Sequence, residues 1–321
     1  MNMSPSVVAS HPALHKNAIV FCADENYFPY ALFAAEQLRR TVTDTDFDIV
    51  ICAPGGMKVP DPLTYLDIRL AEIRTNGLFN GLYLDERRTE AVYHRLVLPE
   101  VFSQDYERIL YLDSDIFVHG GEFARLFNAD LQGHAIAAVR DNYQWFNLKR
   151  QMPDFAKMGL KPAKYFNSGV ILMDVAAYDD RGILERCVSF GRTHKDRLNQ
   201  HDQELLNCVL HGAWTELSPV WNWQQPIRSA YYEVMLPVVI THFIGPTKPW
   251  HDPAGLVPPR FDIPLRAFLS RHFPDKQMRP VIRSADMSTS YVRKLTFKNV
   301  IRASKLGHYV RRFPDDLLAN D

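Results

Sequence analysis

Apolar residues along the chain fall into short runs separated by amphipathic stretches. Residues 18–23 (AIVFCA) and 47–53 (FDIVICA) are hydrophobic runs of buried-strand length, the second closed by Pro54-Gly55-Gly56. Residues 68–73, 135–139, 165–175 and 238–243 have the same character, and 108–118 (RILYLDSDIFV) predicts a strand interrupted by two aspartates. Between them, 29–40 carries Leu32, Ala35 and Leu38 at helical spacing, and 90–102 and 202–210 also predict helices. Strands alternating with helices predict an α/β protein with a mostly parallel sheet covered on both faces. Residues before Ala18 show no such pattern and are expected to be a disordered lead-in, 1–17.

The 321 residues are 46% hydrophobic, enough for a packed core, and 37 basic residues balance 37 acidic ones, which gives no support to a nucleic-acid partner. The balance hides an asymmetry. Between Asp286 and Asp315 there is no acid but seven bases, Arg293, Lys294, Lys298, Arg302, Lys305, Arg311 and Arg312, so the body of the chain carries an excess of seven acids. Cys22, Cys52, Cys187 and Cys208 form no C-x-x-C pair, and the N-terminus does not resemble a signal peptide. A reducing, cytoplasmic setting is expected.

In a sheet of this class ligands bind beyond the carboxyl ends of strands, and Asp24, Asp113 and Asp141 all stand where a strand-like run stops or breaks. Asp113-Ser114-Asp115 interrupts an otherwise apolar run. Buried carboxylates are costly unless paired or bound to metal, and residues i and i+2 of a strand share a side, so the two could hold one divalent cation. Alone, the pattern is equally a solvated turn. His242 ends another apolar run and is followed by Ile244-Gly245-Pro246-Thr247-Lys248. Imidazole nitrogen with carboxylate oxygens suits Mn²⁺ better than Mg²⁺, and Lys248 is a point charge suited to phosphate.

Six stretches carry a resemblance: Phe21 to Tyr27, Tyr93-His94-Arg95-Leu96, Leu110 to Asp115, Tyr165 to Val170, His201 to Asn207, and His242 to Trp250. Together, and in this order, they resemble glycosyltransferase family 8, which includes bacterial lipooligosaccharide galactosyltransferases and glycogenin. The resemblance implies a GT-A fold (a Rossmann-like mixed sheet flanked by helices) over residues 18–285, a UDP-sugar donor, Mn²⁺ (with Mg²⁺ as the alternative), and retention of anomeric configuration. It implies that Ala23, Asp24, Asn26 and Tyr27 hold the uridine, with Tyr27 stacked on the base. Asp113, Asp115 and His242 would bind the metal, with Ser114 beside the donor. Arg95, Asn167, Asp202 and Gln203 would surround the donor sugar, the last three as the catalytic group. Gly245 and Lys248 would close on the phosphates, and Asp141 would face the acceptor. Residues 54–89 and 141–164 show no match, so the resemblance does not extend to the acceptor's identity.

Residues 286–321 are expected to form a basic amphipathic tail, one helix or two interrupted near Gly307, in which Phe297, Val300, Ile301, Leu306, Tyr309, Val310 and Phe313 accompany the basic residues. That composition suits an anionic membrane surface and, with the family resemblance, a glycolipid acceptor at the inner face of the cell membrane. Two other readings remain at this point. Leu110 to Asp115 also resembles the nucleophile strand of haloacid-dehalogenase-type phosphatases, although Phe117 stands where those carry Thr or Val. An inactive relative that binds nucleotide sugars or membranes is the other.

Overall fold

The computed structural model describes residues 4–320 apart from 44, 86–88, 200, 226–229, 253, 254, 256, 277 and 279–288. Its strands are β1 (Ser6–Ala9), β2 (Asn17–Cys22), β3 (Asp48–Cys52), β4 (Ile68–Arg74), β5 (Arg108–Leu112), β6 (Ile116–Val118), β7 (Ile136–Arg140), β8 (Phe166–Asp174), β9 (Thr215–Leu217), β10 (Trp223–Gln225) and β11 (Ile240–Phe243). Eight of them form one sheet in the order β1-β4-β3-β2-β5-β8-β7-β9, and a small sheet runs β10-β11-β6. The large sheet is more mixed than the strand–helix alternation suggests. β8 runs antiparallel to both of its neighbours, β5 and β7, and β1 is antiparallel to β4.

Alternation along the central strands divides the core in two. Ile19 and Phe21 of β2, Ile49 and Ile51 of β3, and Leu110 and Leu112 of β5 face one apolar cluster. Ala18, Val20, Val50, Ile109 and Tyr111 face the other. The first face is covered by helix Phe28–Thr41, through Phe28, Leu32 and Leu38, and by helix Pro259–His272. The second is covered by helices His94–Val101, Ile183–His194 and His201–Leu210, through Leu96, Leu184 and Leu205. Both faces being buried is why these strands carry unbroken hydrophobic runs.

Two expectations are corrected, and an alternative left open is decided. The lead-in is not structureless: β1 pairs along β4, from Ser6 opposite Arg74 to Ala9 opposite Ala71. Its side chains alternate between exposed and partly buried, with Val7 and Ala9 against the second cluster, and four residues are too short a run to stand out in the sequence. Residues 108–118 are not one strand. Asp113, Ser114 and Asp115 form the bend between β5 in the large sheet and β6 in the small one, so the two aspartates do not share a strand face. The tail is one helix, Thr289–Val310, with Gly307 inside it. A Cβ at Gly307 would stand 2.3 Å from Tyr232 Oη, so glycine there allows close helix packing and does not break the helix. The expected boundary at 285/286 lies outside the described residues. Beyond it, Leu306, Tyr309, Phe313, Leu317 and Ala319 belong to the same cluster as β2, and Arg312 pairs with buried Glu216. The end of the tail is therefore part of the same core.

Candidate active site

The bend after β5 and the end of β11 meet where the two sheets abut. β11 lies antiparallel to β6, with His242 opposite Ile116. This register sets His242 Nε2 3.2 Å from Asp115 Oδ1 and 3.6 Å from Asp113 Oδ2. Among the described residues these three form the one group of His, Cys, Asp and Glu ligand atoms lying within 4.8 Å of one another. Two carboxylate oxygens and one imidazole nitrogen form a donor set for a borderline divalent cation. The backbone permits this approach: at Gly169 on β8, an added Cβ would lie 2.2 Å from His242 Cε1 and 2.7 Å from Asp113 Oδ2.

Lys248 reaches back from the loop after β11 to bond Asp115 Oδ2 and the Phe243 carbonyl. Gly245, in the left-handed region at φ +76°, turns that loop. Burial raises the Asp115 carboxyl's proton affinity, but Lys248 and His242 outweigh it and hold the group well below the usual carboxylate range. Arg95, from helix His94–Val101, lies between two acids, 3.0 Å from Asp113 Oδ1 and 3.1 Å from Asp202 Oδ2. Its guanidinium also donates to the Ser168 carbonyl at 2.8 Å and stacks 4.3 Å over Tyr111. Burial disfavours its charge, but Asp113 and Asp202 prevail and keep it protonated. Asp202 is pushed upward by burial, with Arg95 opposing. Asp202 is buried, and its Oδ2 is committed to the ion pair with Arg95.

Asn167, Ser168 and Gln203 complete this side. Gln203 Oε1 accepts from the Ser168 amide at 3.0 Å and from Asn167 Nδ2 at 3.2 Å. At the far end of β2, Asp24 Oδ1 accepts from the amides of Asn26 and Tyr27 at 2.9 and 3.0 Å, which shapes the entry to helix Phe28–Thr41. Tyr27 is 39% exposed, so its ring is accessible at the surface. It meets Tyr30 and Trp250 edge-on, and those two rings stack at 3.7 Å, tying the first motif to the last. Asp141 stands at the end of β7 with its carboxylate on the Tyr143 amide at 2.9 Å. Burial pushes that carboxyl up to about 6, opposed by the Tyr143 amide and aided by Asp154.

The structure thus brings Arg95, Asp113, Asp115, Asn167, Asp202, Gln203, His242 and Lys248 together, with the Asp24–Tyr27 turn linked to the same loop through Trp250. Three residues were not singled out in the sequence. Tyr111 donates to Asp113 Oδ1 at 2.6 Å, Gly169 permits the approach described above, and Asn222 contacts both His242 and Asn167. The one signal for Asn222 was a polar residue between two tryptophans.

Known proteins are similar to this chain in sequence and in fold. General stress protein A of Bacillus subtilis (strain 168) is 29% identical over 260 residues, 73% of this chain and 87% of its own length. Lipopolysaccharide 1,3-galactosyltransferase of Salmonella typhimurium is 30% identical over 173 residues, 51% of this chain but only 50% of its own length. A crystal structure of galactosyltransferase LgtC with donor and acceptor sugar analogs matches with a TM-score of 0.63 at 24% identity, covering 78% of this chain and 95% of that one. The likeness shows the fold, and the expected GT-A architecture is borne out. The glycosyl transferase family 8 profile matches residues 18–254, from the first central strand to just past the Lys248 loop. With that match the phosphatase reading falls away: the chain belongs to glycosyl transferase family 8 and is a glycosyltransferase.

Proposed function

We propose that the chain is a retaining hexosyltransferase that moves galactose or glucose from a UDP-sugar to a saccharide acceptor, the lipopolysaccharide core or another lipid-linked glycan. The observation that carries this reading is the convergence of Asp113, Asp115, His242 and Lys248 beside the Arg95–Asp202 pair. Asp113, Asp115 and His242 would hold Mn²⁺, with Mg²⁺ the weaker fit to an imidazole ligand. Bound there, the cation would neutralise charge on the departing diphosphate.

The chain's own residues supply the rest. Lys248, on its glycine-turned loop, exchanges Asp115 for phosphate oxygens and stabilises the charge that develops on UDP. Tyr27 offers its ring to the uracil, and Asp24 fixes the turn that presents it. Asp202 orients Arg95 beside the donor sugar through their ion pair. Gln203 has its amide oxygen committed to Ser168 and Asn167, so nitrogen is the atom it turns to the donor. This favours front-face transfer, in which the leaving UDP oxygen takes the acceptor's proton, over attack by Gln203. A trapped glycosyl adduct on Gln203 or Asp202 would refute that route. Asp141 is the acceptor-side candidate.

The first half of helix Thr289–Val310 exposes Phe297 (67%), Val300 (59%) and Ile301 (55%) beside Arg293, Lys294 and Lys298. No helix of the described residues is long and apolar enough to cross a membrane. A basic, apolar helix face fits peripheral binding to an anionic surface, and the reading has the enzyme work there, on the cytoplasmic side. Deleting the whole tail would remove core residues such as Leu306 and Tyr309. The cleaner test is therefore K294E/K298E/F297S, which should lose binding to anionic vesicles and keep its fold.

The function is tested by UDP release from a panel of UDP-sugars with and without Mn²⁺. A Mn²⁺-dependent signal for one sugar, lost in Asp115→Ala, supports a transferase and names the donor. No release and no donor binding across the panel would favour an inactive relative.

A further inference from the structure

We infer that Asn222 is a positioning residue that sets the tautomer of His242 and ties the metal site to the donor-sugar site; this rests on reading Asp113, Asp115 and His242 as a cation site. Asn222 is fully buried between Trp221 and Trp223, just before β10, which pairs in parallel with β11. Its Nδ2 lies 2.9 Å from Asn167 Oδ1, and its Oδ1 lies 3.0 Å from His242 Nδ1.

The polarity of this chain follows from one group that cannot flip. The Gly169 backbone N–H is a donor and lies 3.1 Å from Asn167 Oδ1. That oxygen must therefore be the acceptor, which turns Asn167 Nδ2 toward Gln203 Oε1. Asn222 must offer its own amide nitrogen to the same oxygen, so its Oδ1 faces the imidazole. An oxygen there requires a proton on His242 Nδ1. In the neutral imidazole Nε2 then carries the lone pair and faces Asp113 and Asp115, as a metal ligand must. A buried amide with both ends used also stops the ring from rotating. The same chain, from His242 through Asn222 and Asn167 to Gln203, joins the residues around the diphosphate to those around the sugar.

Asn222→Asp keeps an acceptor for Nδ1–H but loses the donor to Asn167, and Asn222→Leu loses both. In N222L we expect Mn²⁺ affinity of the substrate-free protein, measured by electron paramagnetic resonance, to fall about 10- to 100-fold. In N222D we expect Mn²⁺ affinity to stay near wild type while the KM for UDP-sugar rises. Long-range ¹H–¹⁵N correlation on wild-type protein, with the imidazole neutral, should show His242 as the Nδ1–H tautomer. This measurement needs no variant, so the inference stands or falls even if N222L does not fold. An Nε2–H tautomer, or a folded N222L that binds Mn²⁺ as wild type does, would overturn it and leave the metal site standing. A wild-type chain that bound no Mn²⁺ would remove the metal site, and the inference with it.

Discussion

Replacing Gly169 by alanine tests the geometry of the site most directly. The new Cβ would sit 2.2 Å from His242 Cε1, 2.7 Å from His242 Nδ1 and 2.7 Å from Asp113 Oδ2. Carbon atoms rest at about 3.5–4.0 Å, so the overlap exceeds an ångström and some group must move. Neither neighbour yields easily. His242 is in β11 and held by Asn222, and the Asp113 amide donates to the Gly169 carbonyl at 2.8 Å. Overpacking of this kind costs about 1–3 kcal/mol of stability. A displacement of about 1 Å at reacting groups costs on the order of a hundredfold in rate. We therefore expect Gly169→Ala to fold, to melt a few degrees lower, to bind Mn²⁺ at least about tenfold more weakly and to release UDP about a hundredfold more slowly. The control is Gly191→Ala, whose Cβ would meet Leu82 Cδ2 at 2.5 Å and Leu205 Cδ2 at 3.1 Å in the core. It should lose comparable stability with Mn²⁺ affinity unchanged. Calorimetry, Mn²⁺ titration and UDP release on the three proteins decide the matter. Wild-type Mn²⁺ affinity and rate in Gly169→Ala would refute the placement of His242 and Asp113 at the reaction centre.

Other consequences can be measured separately. Asp115→Ala should reduce Mn²⁺-dependent UDP release by at least about a hundredfold, read by coupled UDP detection. Arg95→Met removes the cation shared by Asp113 and Asp202 and should cost about 3–5 kcal/mol in denaturant unfolding. Asp141 holds its proton more tightly when folded, up to about 6, than when unfolded. Its contribution to stability is thus full below the ordinary carboxylate pKa and is lost as pH rises toward 6. Asp141→Asn, which can still cap Tyr143, should then be about 1–2 kcal/mol more stable than wild type at pH 7 and no more stable near pH 3. If Asp141 serves the acceptor, the same variant will keep UDP hydrolysis and lose transfer to the glycan.

Much of the fold was legible because both faces of the large sheet are buried. Such strands must be apolar throughout, and β2, β3, β5, β7 and β8 announce themselves as runs. β6, β9 and β10 are three residues each, too short for any periodicity. β1 is an edge strand of four residues. The tail showed its charge and its apolar spacing, but not that Leu306, Tyr309, Phe313, Leu317 and Ala319 are core while Phe297, Val300 and Ile301 are exposed. The candidate metal-binding aspartates were legible because carboxylates inside apolar runs are costly and therefore conspicuous. Asp24 was marked by its place at a strand end, but Asn26 and Tyr27 were recoverable only through the resemblance, since as a sequence they form an ordinary polar turn.

The sequence by itself determined which central strands are buried, which side chains are candidates for chemistry, and which family the chain resembles. Tertiary structure decided how those side chains act together. Lys248 and Asp115 are 133 residues apart along the chain, and their contact exists because β11 pairs with β6 across the bend that holds the aspartates. Asn222 and Gly169 have no chemistry that a sequence would mark, an amide and a hydrogen atom. One matters for the polarity of a buried hydrogen-bond chain and the other for the space between two strands. Hydrophobic periodicity records what each residue does to water locally. Register, amide orientation and close approach are properties of pairs, and they arise only when distant strands meet.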